Sequence, residues 1–325
     1  MREFDVFAKW GIDWLASNGY SVEHSPEVVL STPWSTMVRF STSTGDIYLK
    51  QTPPAISAEP KIIQLLSEQF HASVPVVIAS NNDLHCFMML DAGKVLRATL
   101  KEKFSPDLLY QAIKEYAAIQ RSTEGHVESF IKLGVPDWRL DKLPILYDQM
   151  INQIDSLRAD GITDKELQTL HDLSPKFLAQ CKLLSSYEIH ETIGIPDFND
   201  NNTLLGQRTK RMTFIDWGEA TITHPFFSLY NSLEQSIIHH GVKEADQTYN
   251  KLQHACFDNW LGLKTESQLL EIFNLSKQLR AIYDALGYYR LMTSVDLHAL
   301  NSYYANKPNR LAGHLRKYIA SSIEL

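Results

Sequence analysis

Apolar positions near the start of the chain recur at helical spacing. Phe7, Trp10 and Trp14 fall on one face of residues 4–17, and Asn18-Gly19 supplies a stop. The period then changes. Residues 27–30, 37–40 and 47–50 read as short strands, and the connection from Ser41 to Asp46, with glycine at 45, reads as that of a β-hairpin. Residues 57–70 return to the helical period through Ile62, Leu65, Leu66 and Phe70, after which 74–79 and 86–90 read as strands again. Strands, one helix and more strands predict a small α+β lobe closing near Asp91. From Ser105 onward the pattern is mostly helical. Ser105-Pro106-Asp107 combines an N-cap, a proline at the first position and an acid in the first turn, opening a helix to about Arg121. Further helices are expected at 141–158, 164–184, 228–240, 243–261, 265–293 and 310–323. Between about Glu188 and Thr223 the helical period vanishes, leaving an Asp/Asn-rich loop, a short run at Thr203-Leu204-Leu205 and a β-like run from Met212 to Ile215 ending in Asp216. An irregular insert in a helical region is a natural place for chemistry. The expected fold is α+β and bilobal: residues 1–91 form a small lobe with an antiparallel sheet, and 92–325 a larger, mostly helical lobe.

Composition narrows the classes. A chain of 325 residues suits two lobes, and 44% hydrophobic with 21% charged residues is ordinary globular usage, enough for a large core. The net charge of −7 argues against a broadly basic surface, so no nucleic-acid partner is expected. Cys86, Cys181 and Cys256 lack any Cys-x-x-Cys spacing, which does not indicate zinc and suits a reducing compartment. The N-terminal stretch carries Arg2, Glu3, Asp5, Lys9 and Asp13 and leaves no apolar core for a signal peptide. No run approaches the roughly 20 apolar residues of a membrane span. The expectation is a cytoplasmic protein with no membrane partner.

Candidate chemistry lies in the irregular insert. Asp197 and Asn202 stand five positions apart on one loop, and Ile215-Asp216-Trp217-Gly218 follows a short strand. An Asp/Asn-rich loop alone is ordinary turn composition. The second aspartate after a β run makes the set a kinase-type pattern. Nucleotide phosphates carry several negative charges, and Mg²⁺, which prefers hard oxygen ligands, must offset them as the bond breaks. Asn202 and Asp216 are therefore candidate metal ligands, and Asp197 is the candidate base facing an acceptor hydroxyl. Such a site also needs a lysine on a strand and an acid on the next helix to position it. Lys50, ending Tyr48-Leu49-Lys50, and Glu59 supply them in the required order.

These residues carry a resemblance to the aminoglycoside phosphotransferase and choline kinase family, a branch of the protein-kinase-like fold, and to its bacterial members of unassigned substrate. Thr32 to Arg39 resembles the family's nucleotide-covering hairpin, Tyr48-Leu49-Lys50 its lysine strand, and Met89-Leu90-Asp91-Ala92-Gly93 its hinge. Ile215 to Ala220, followed by His224-Pro225-Phe226, is similar to its metal-binding segment and the turn after it. The resemblance implies a two-lobed kinase binding ATP, or sometimes GTP, with Mg²⁺ and a small-molecule hydroxyl acceptor. It places adenine against the backbone of Met88, Met89 and Leu90, and makes Ser35 and Thr36 the candidates for phosphate contact. The catalytic loop departs from the family pattern: Ile195 and Pro196 replace the His-Gly pair before the aspartate, and Asn199 replaces a later histidine. Loss of these braces opens a second reading, a nucleotide-binding pseudokinase acting as an interaction module. A protein kinase is disfavoured, because His224-Pro225 follows Asp216 too closely for a long activation loop. His239, His240 and His254 read as ordinary surface or core histidines, and Tyr283, Tyr288 and Tyr289 as core or cleft lining.

Overall fold

Alternating burial along residues 35–42 and 45–49 builds the part of the sheet that carries Lys50. The computed structural model describes residues 3–323, and Met1 and Arg2, part of the stretch read for a signal peptide, lie outside them. The chain divides into two compact units. One gathers the residues up to Lys94 with Leu204–Gly218 and Leu291–Ala305; the other holds Val95–Thr203, Glu219–Arg290 and the chain from Asn306.

In the first unit, helix α1 (Glu3–Ser17) precedes strands β1 (Glu27–Thr32), β2 (Ser35–Thr42) and β3 (Gly45–Gln51). Helix α2 (Glu59–Phe70), strands β4 (Val77–Asn81) and β5 (Cys86–Leu90) and the two-residue β6 (Lys94–Val95) follow. The five longer strands form one antiparallel sheet in the order β1-β2-β3-β5-β4. Phe7 and Leu15 of α1 bury against Val38, Phe40, Ile47, Leu49, Cys86 and Met88. The approach is close: a Cβ on Gly11 would lie 2.9 Å from the Phe40 ring. The hairpin expected around Ser41 to Asp46 forms, with strand pairing running on to Thr42 and Gly45.

The second unit begins with helices α3 (Leu96–Glu102), α4 (Pro106–Thr123), α5 (Val127–Ile131), α6 (Leu143–Ile151), α7 (Ile154–Ala159) and α8 (Asp164–Ser185). The single helix expected over 141–158 is broken at Asn152-Gln153, where Gln153 leaves the helical region at φ −82° and ψ 59°. Strand β7 (Thr192–Gly194) leads into the Asp/Asn loop. Strands β8 (Thr203–Leu205) and β9 (Met212–Phe214) are hydrogen-bonded neighbours, and β10 (Thr221–Thr223) pairs antiparallel with β7. Thus the loop leaves a strand whose partner is the segment just after Glu219. Helices α9 (Pro225–His240), α10 (Gln247–Phe257), α11 (Glu266–Ser294), α12 (Leu297–Tyr303) and α13 (Arg310–Ile323) complete the chain. No helix among the described residues is long and apolar enough to cross a membrane.

Candidate active site

Lys50 sits in β3, paired in register with Met37 of β2 and Phe87 of β5, and is only 5% exposed. Its Nζ lies 2.7 Å from Glu59 Oε2, in the first turn of α2, and 2.6 Å from Asp216 Oδ1. Burial alone would lower the lysine's pKa, but the charges of Asp216 and Glu59 outweigh it and hold the ammonium above its ordinary value. Burial also raises the Glu59 carboxyl, against the pull of Lys50. One cation against two carboxylates leaves one excess negative charge. The Asp216 side chain is 36% exposed while those of Lys50 and Glu59 are 6% and 3%, so Asp216 is the solvent-facing member of the cluster.

Local structure aims Asp216. It follows β9 with φ 72°, a left-handed conformation that aspartate tolerates better than most residues. The next residue, Trp217, is fully buried and its Nε1 donates to Phe214 O at 2.8 Å, closing the turn. Gly218 then passes Glu59 so closely that a Cβ would sit 3.1 Å from Glu59 Oε2 and from Ile56 O. In the β1–β2 hairpin, Thr32 Oγ1 donates to Ser35 O at 3.2 Å, and the Ser35 hydroxyl is buried without a hydrogen-bond partner. Thr36 pairs across with Gln51. Trp34, at the hairpin tip, stacks on Tyr304 and meets Tyr303 edge-on. Met88 and Met89 are buried in β5 between β3 and β4, whereas Leu90 is 37% exposed and its N–H already donates to Val76 O at 3.0 Å.

The second cluster is built on the loop after β7. Phe198 N–H donates to Ile195 O at 3.1 Å, so Ile195 to Phe198 form a tight turn with Pro196 in its second position, where a fixed φ is an advantage. Ile195 is buried, and its N–H donates to the Tyr116 hydroxyl at 2.7 Å. The Tyr116 ring stacks on Phe198 at 3.6 Å between centroids. Tyr116 thereby supplies from α4 a tether for the turn. Three side-chain amides converge on Asp197. Asn199 Nδ2 and Asn231 Nδ2 donate to its Oδ1 at 3.0 and 3.1 Å, and Asn202 Nδ2 lies 3.4 Å from its Oδ2 and 2.9 Å from its carbonyl. The middle of the loop is fixed from below. Asp200 receives Arg97 Nε and Nη2 at 3.0 and 2.8 Å and His240 Nε2 at 2.7 Å, and Arg97 Nη2 also reaches Asn199 Oδ1 at 2.9 Å. Phe104 stacks on the His240 ring at 5.1 Å.

The structure thus brings Lys50, Glu59 and Asp216 together in the first unit, and Asp197 and Asn202 together in the second. Sequence reasoning missed Tyr116, Arg97, Asp200, Asn231 and His240. Arg97 lies on α3, a helix the pattern did not reveal. His240 read as a surface or core histidine, and its side chain is buried against Asp200, a pairing the pattern did not reveal. Asn231 had a legible signal: it is a polar residue on the apolar face of α9 between Phe227, Leu229 and Leu233.

Each cluster fits a magnesium-bound nucleotide on its own terms. The excess negative charge at Asp216 suits a divalent cation. Asn202 commits Nδ2 to Asp197, leaving Oδ1 as the hard oxygen able to bind one. The unpartnered Ser35 hydroxyl suits a phosphate oxygen.

Comparison with known proteins places this arrangement. No curated protein sequence matches the chain. Among solved structures, the ethanolamine kinase of Plasmodium vivax shares 11% identity at a TM-score of 0.61, covering 98% of this chain and 85% of the other. The choline kinase of Streptococcus pneumoniae shares 12% at 0.60, over 96% and 99% of the two chains, and a macrolide 2′-phosphotransferase type I shares 13% at 0.59, over 96% of each. At such identities these likenesses show a kinase-like α+β fold. A family model described as the phosphotransferase enzyme family matches residues 29–264, most of the chain, and this protein therefore belongs to that family.

Proposed function

We propose that the chain is an ATP- and Mg²⁺-dependent kinase, able in principle to use GTP, that phosphorylates a hydroxyl of a small molecule. The observation that carries this reading is the buried Lys50 held between Glu59 and Asp216. A lysine paired with an acid of the next helix and with the aspartate after a strand is the arrangement kinases use to hold phosphates. The nucleotide lobe is built on residues 1–91, to which Leu204–Gly218 and Leu291–Ala305 attach, and the acceptor lobe on the rest of 92–325. Lys50, positioned by Glu59, would contact the phosphates together with Ser35 and Thr36. Adenine is assigned to the exposed end of β5 at Leu90, with Met88 and Met89 beneath. Asp216 and Asn202 hold the metal, which when bound offsets phosphate charge as the bond breaks.

Asp197 is the base. Its Oδ1 takes amide bonds at 3.0 and 3.1 Å and its Oδ2 only the longer 3.4 Å contact from Asn202, so Oδ2 is assigned to the acceptor. As the acceptor oxygen bonds to the γ-phosphorus and the bond to the leaving diphosphate breaks, the hydroxyl proton passes to Asp197 Oδ2. The neighbours' named substrates, ethanolamine, choline and macrolides, make hydroxyl compounds that also carry a cation a reasonable first panel. The three buried, unpaired cysteines suit a reducing cytoplasm.

One observation favours the pseudokinase reading: amides from Asn199, Asn202 and Asn231 already occupy the Asp197 carboxylate. The deciding experiment measures Mg²⁺-dependent ADP release across a panel of amino alcohols, sugars and macrolides, in wild type and Asp197→Ala, alongside nucleotide binding. Turnover falling at least about 100-fold in the variant supports the kinase. Binding with equal background turnover in both supports the pseudokinase, and absence of nucleotide binding sinks both readings.

A further inference from the structure

Asn231 can present only its amide nitrogen to Asp197, and the reason lies on α11. Its side chain stands on α9 with both ends engaged. Nδ2 donates to Asp197 Oδ1 and to Phe198 O, each at 3.1 Å. Oδ1 accepts from Arg280 Nη2 of α11 at 3.0 Å. Arginine has donors and no acceptor, and an ionised carboxylate and a carbonyl have acceptors only. A flipped amide would set oxygen against the Asp197 carboxylate and nitrogen against a guanidinium. The orientation is therefore imposed by the partners' chemistry.

Arg280 is itself immobilised. It is 5% exposed, its Nε and Nη2 donate to Asp284 one turn on at 3.1 and 3.0 Å, and its Nη1 donates to Phe227 O at 3.0 Å. The Asp284 carboxylate holds the guanidinium in its plane by a two-pronged contact. The same helix runs past the turn: the Pro196 side chain would lie 3.9 Å from a Cβ on Gly287.

We propose that Asn231 is a positioning residue for Asp197, locked by Arg280 and Asp284, and that this relay acts beside the Asn199 amide in holding Oδ1. By fixing Oδ1 it sets the carboxylate rotamer, and with it the direction of Oδ2, which carries the longer 3.4 Å contact from Asn202. Residues that hold a reacting group within tenths of an ångström contribute to rate without touching substrate. The assignment of Asp197 as base rests on the kinase reading above; the relay itself is geometry.

Asn231→Asp is the informative variant, because it keeps an acceptor for Arg280 while replacing the donor facing Asp197. With the acceptor found by the panel, kcat is expected to fall at least about tenfold while KM for ATP stays within about threefold, the pattern of a lost transition-state interaction. Arg280→Gln, which removes the guanidinium that anchors Asn231 Oδ1, should lower kcat in the same way and add little to Asn231→Asp in the double variant. A purely structural tie would instead move melting temperature and leave kcat per folded molecule unchanged, or give losses that multiply. Crystal structures of the unliganded variants supply a readout independent of turnover: the Asp197 carboxylate should rotate away from its wild-type position in both. An unchanged Asp197 in either structure overturns the relay. Displaced carboxylates in a protein with no turnover on any acceptor would instead uphold the relay and refute the kinase reading.

Discussion

Lys50 is a cation buried against two carboxylates, and the imbalance has a consequence for stability. Removing the lysine leaves Glu59 and Asp216 facing each other with no counter-charge. Breaking a buried pair from one side commonly costs about 3–5 kcal/mol. Lys50→Met should therefore lower unfolding free energy by about that amount, read from urea denaturation. Asp216→Asn works in the opposite direction, since it removes the excess negative charge; it should leave the unliganded protein at least as stable as wild type while abolishing the Mg²⁺-dependent part of nucleotide binding. A loss above about 1 kcal/mol in Asp216→Asn would contradict the charge balance inferred here. His224 gives a pH prediction. It caps α9, fully buried, with Nδ1 accepting from Phe226 N–H, and burial pushes its pKa down to about 3. The folded state resists protonation while the unfolded chain takes it up near pH 6.5, so stability is lost as pH falls below that value. Between pH 7.5 and 5.5 the loss from this residue is about 1.4 kcal/mol. His224→Asn keeps a capping side chain and should show a pH dependence shallower by that amount.

At the scale of elements, what was legible followed periodicity and what was not followed tertiary contact. Strand β2 of the first unit and the long helices from 106 onward appear in alternation and in the 3.6-residue period, because each buries one face. That Lys50, Glu59 and Asp216 come together, and Asp197 and Asn202 likewise, was legible by order and spacing. The short helices α3, α5 and α12 were not, since one or two turns carry too little periodicity; the Arg97 brace was lost with α3. Pro196 shows that a departure from a family pattern can be locally favourable, here as the second residue of a closed turn. Gly93 is a second local requirement. It adopts φ 121°, and a Cβ there would lie 2.3 Å from Leu205 O, so the backbone preceding β6 crosses β8 too closely for any side chain. Gly93→Ala forces strain and displacement together and should cost more than about 2 kcal/mol, whereas Gly19→Ala, with no atom within 4 Å of its Cβ, should cost only the strain of its backbone. Equal urea midpoints for the two variants would refute the close crossing.

Over the whole molecule, the compact units are not simple consecutive halves. Leu204–Gly218 and Leu291–Ala305 belong with the residues up to Lys94, so Asp216 reaches Lys50 from 166 positions away in sequence. No local pattern reports such a pairing; it became visible only through the order of motifs along the chain. On the proposed kinase reading, that long-range closure makes the nucleotide a ligand of tertiary structure, with no binding expected in the unfolded chain. Mg²⁺-ATP at about 100 times its dissociation constant should then stabilise the folded state by about 2.7 kcal/mol. With the unfolding entropy usual for a chain of this length, that is a rise of about 4 °C in melting temperature if unfolding is cooperative. Chelating the Mg²⁺ or introducing Asp216→Asn should remove most of the rise, because each deletes one side of the metal contact. Glu59→Gln should reduce it less, since Lys50 keeps Asp216 as a partner. A full rise retained in Asp216→Asn would show that the nucleotide binds without the carboxylate on which the metal assignment depends.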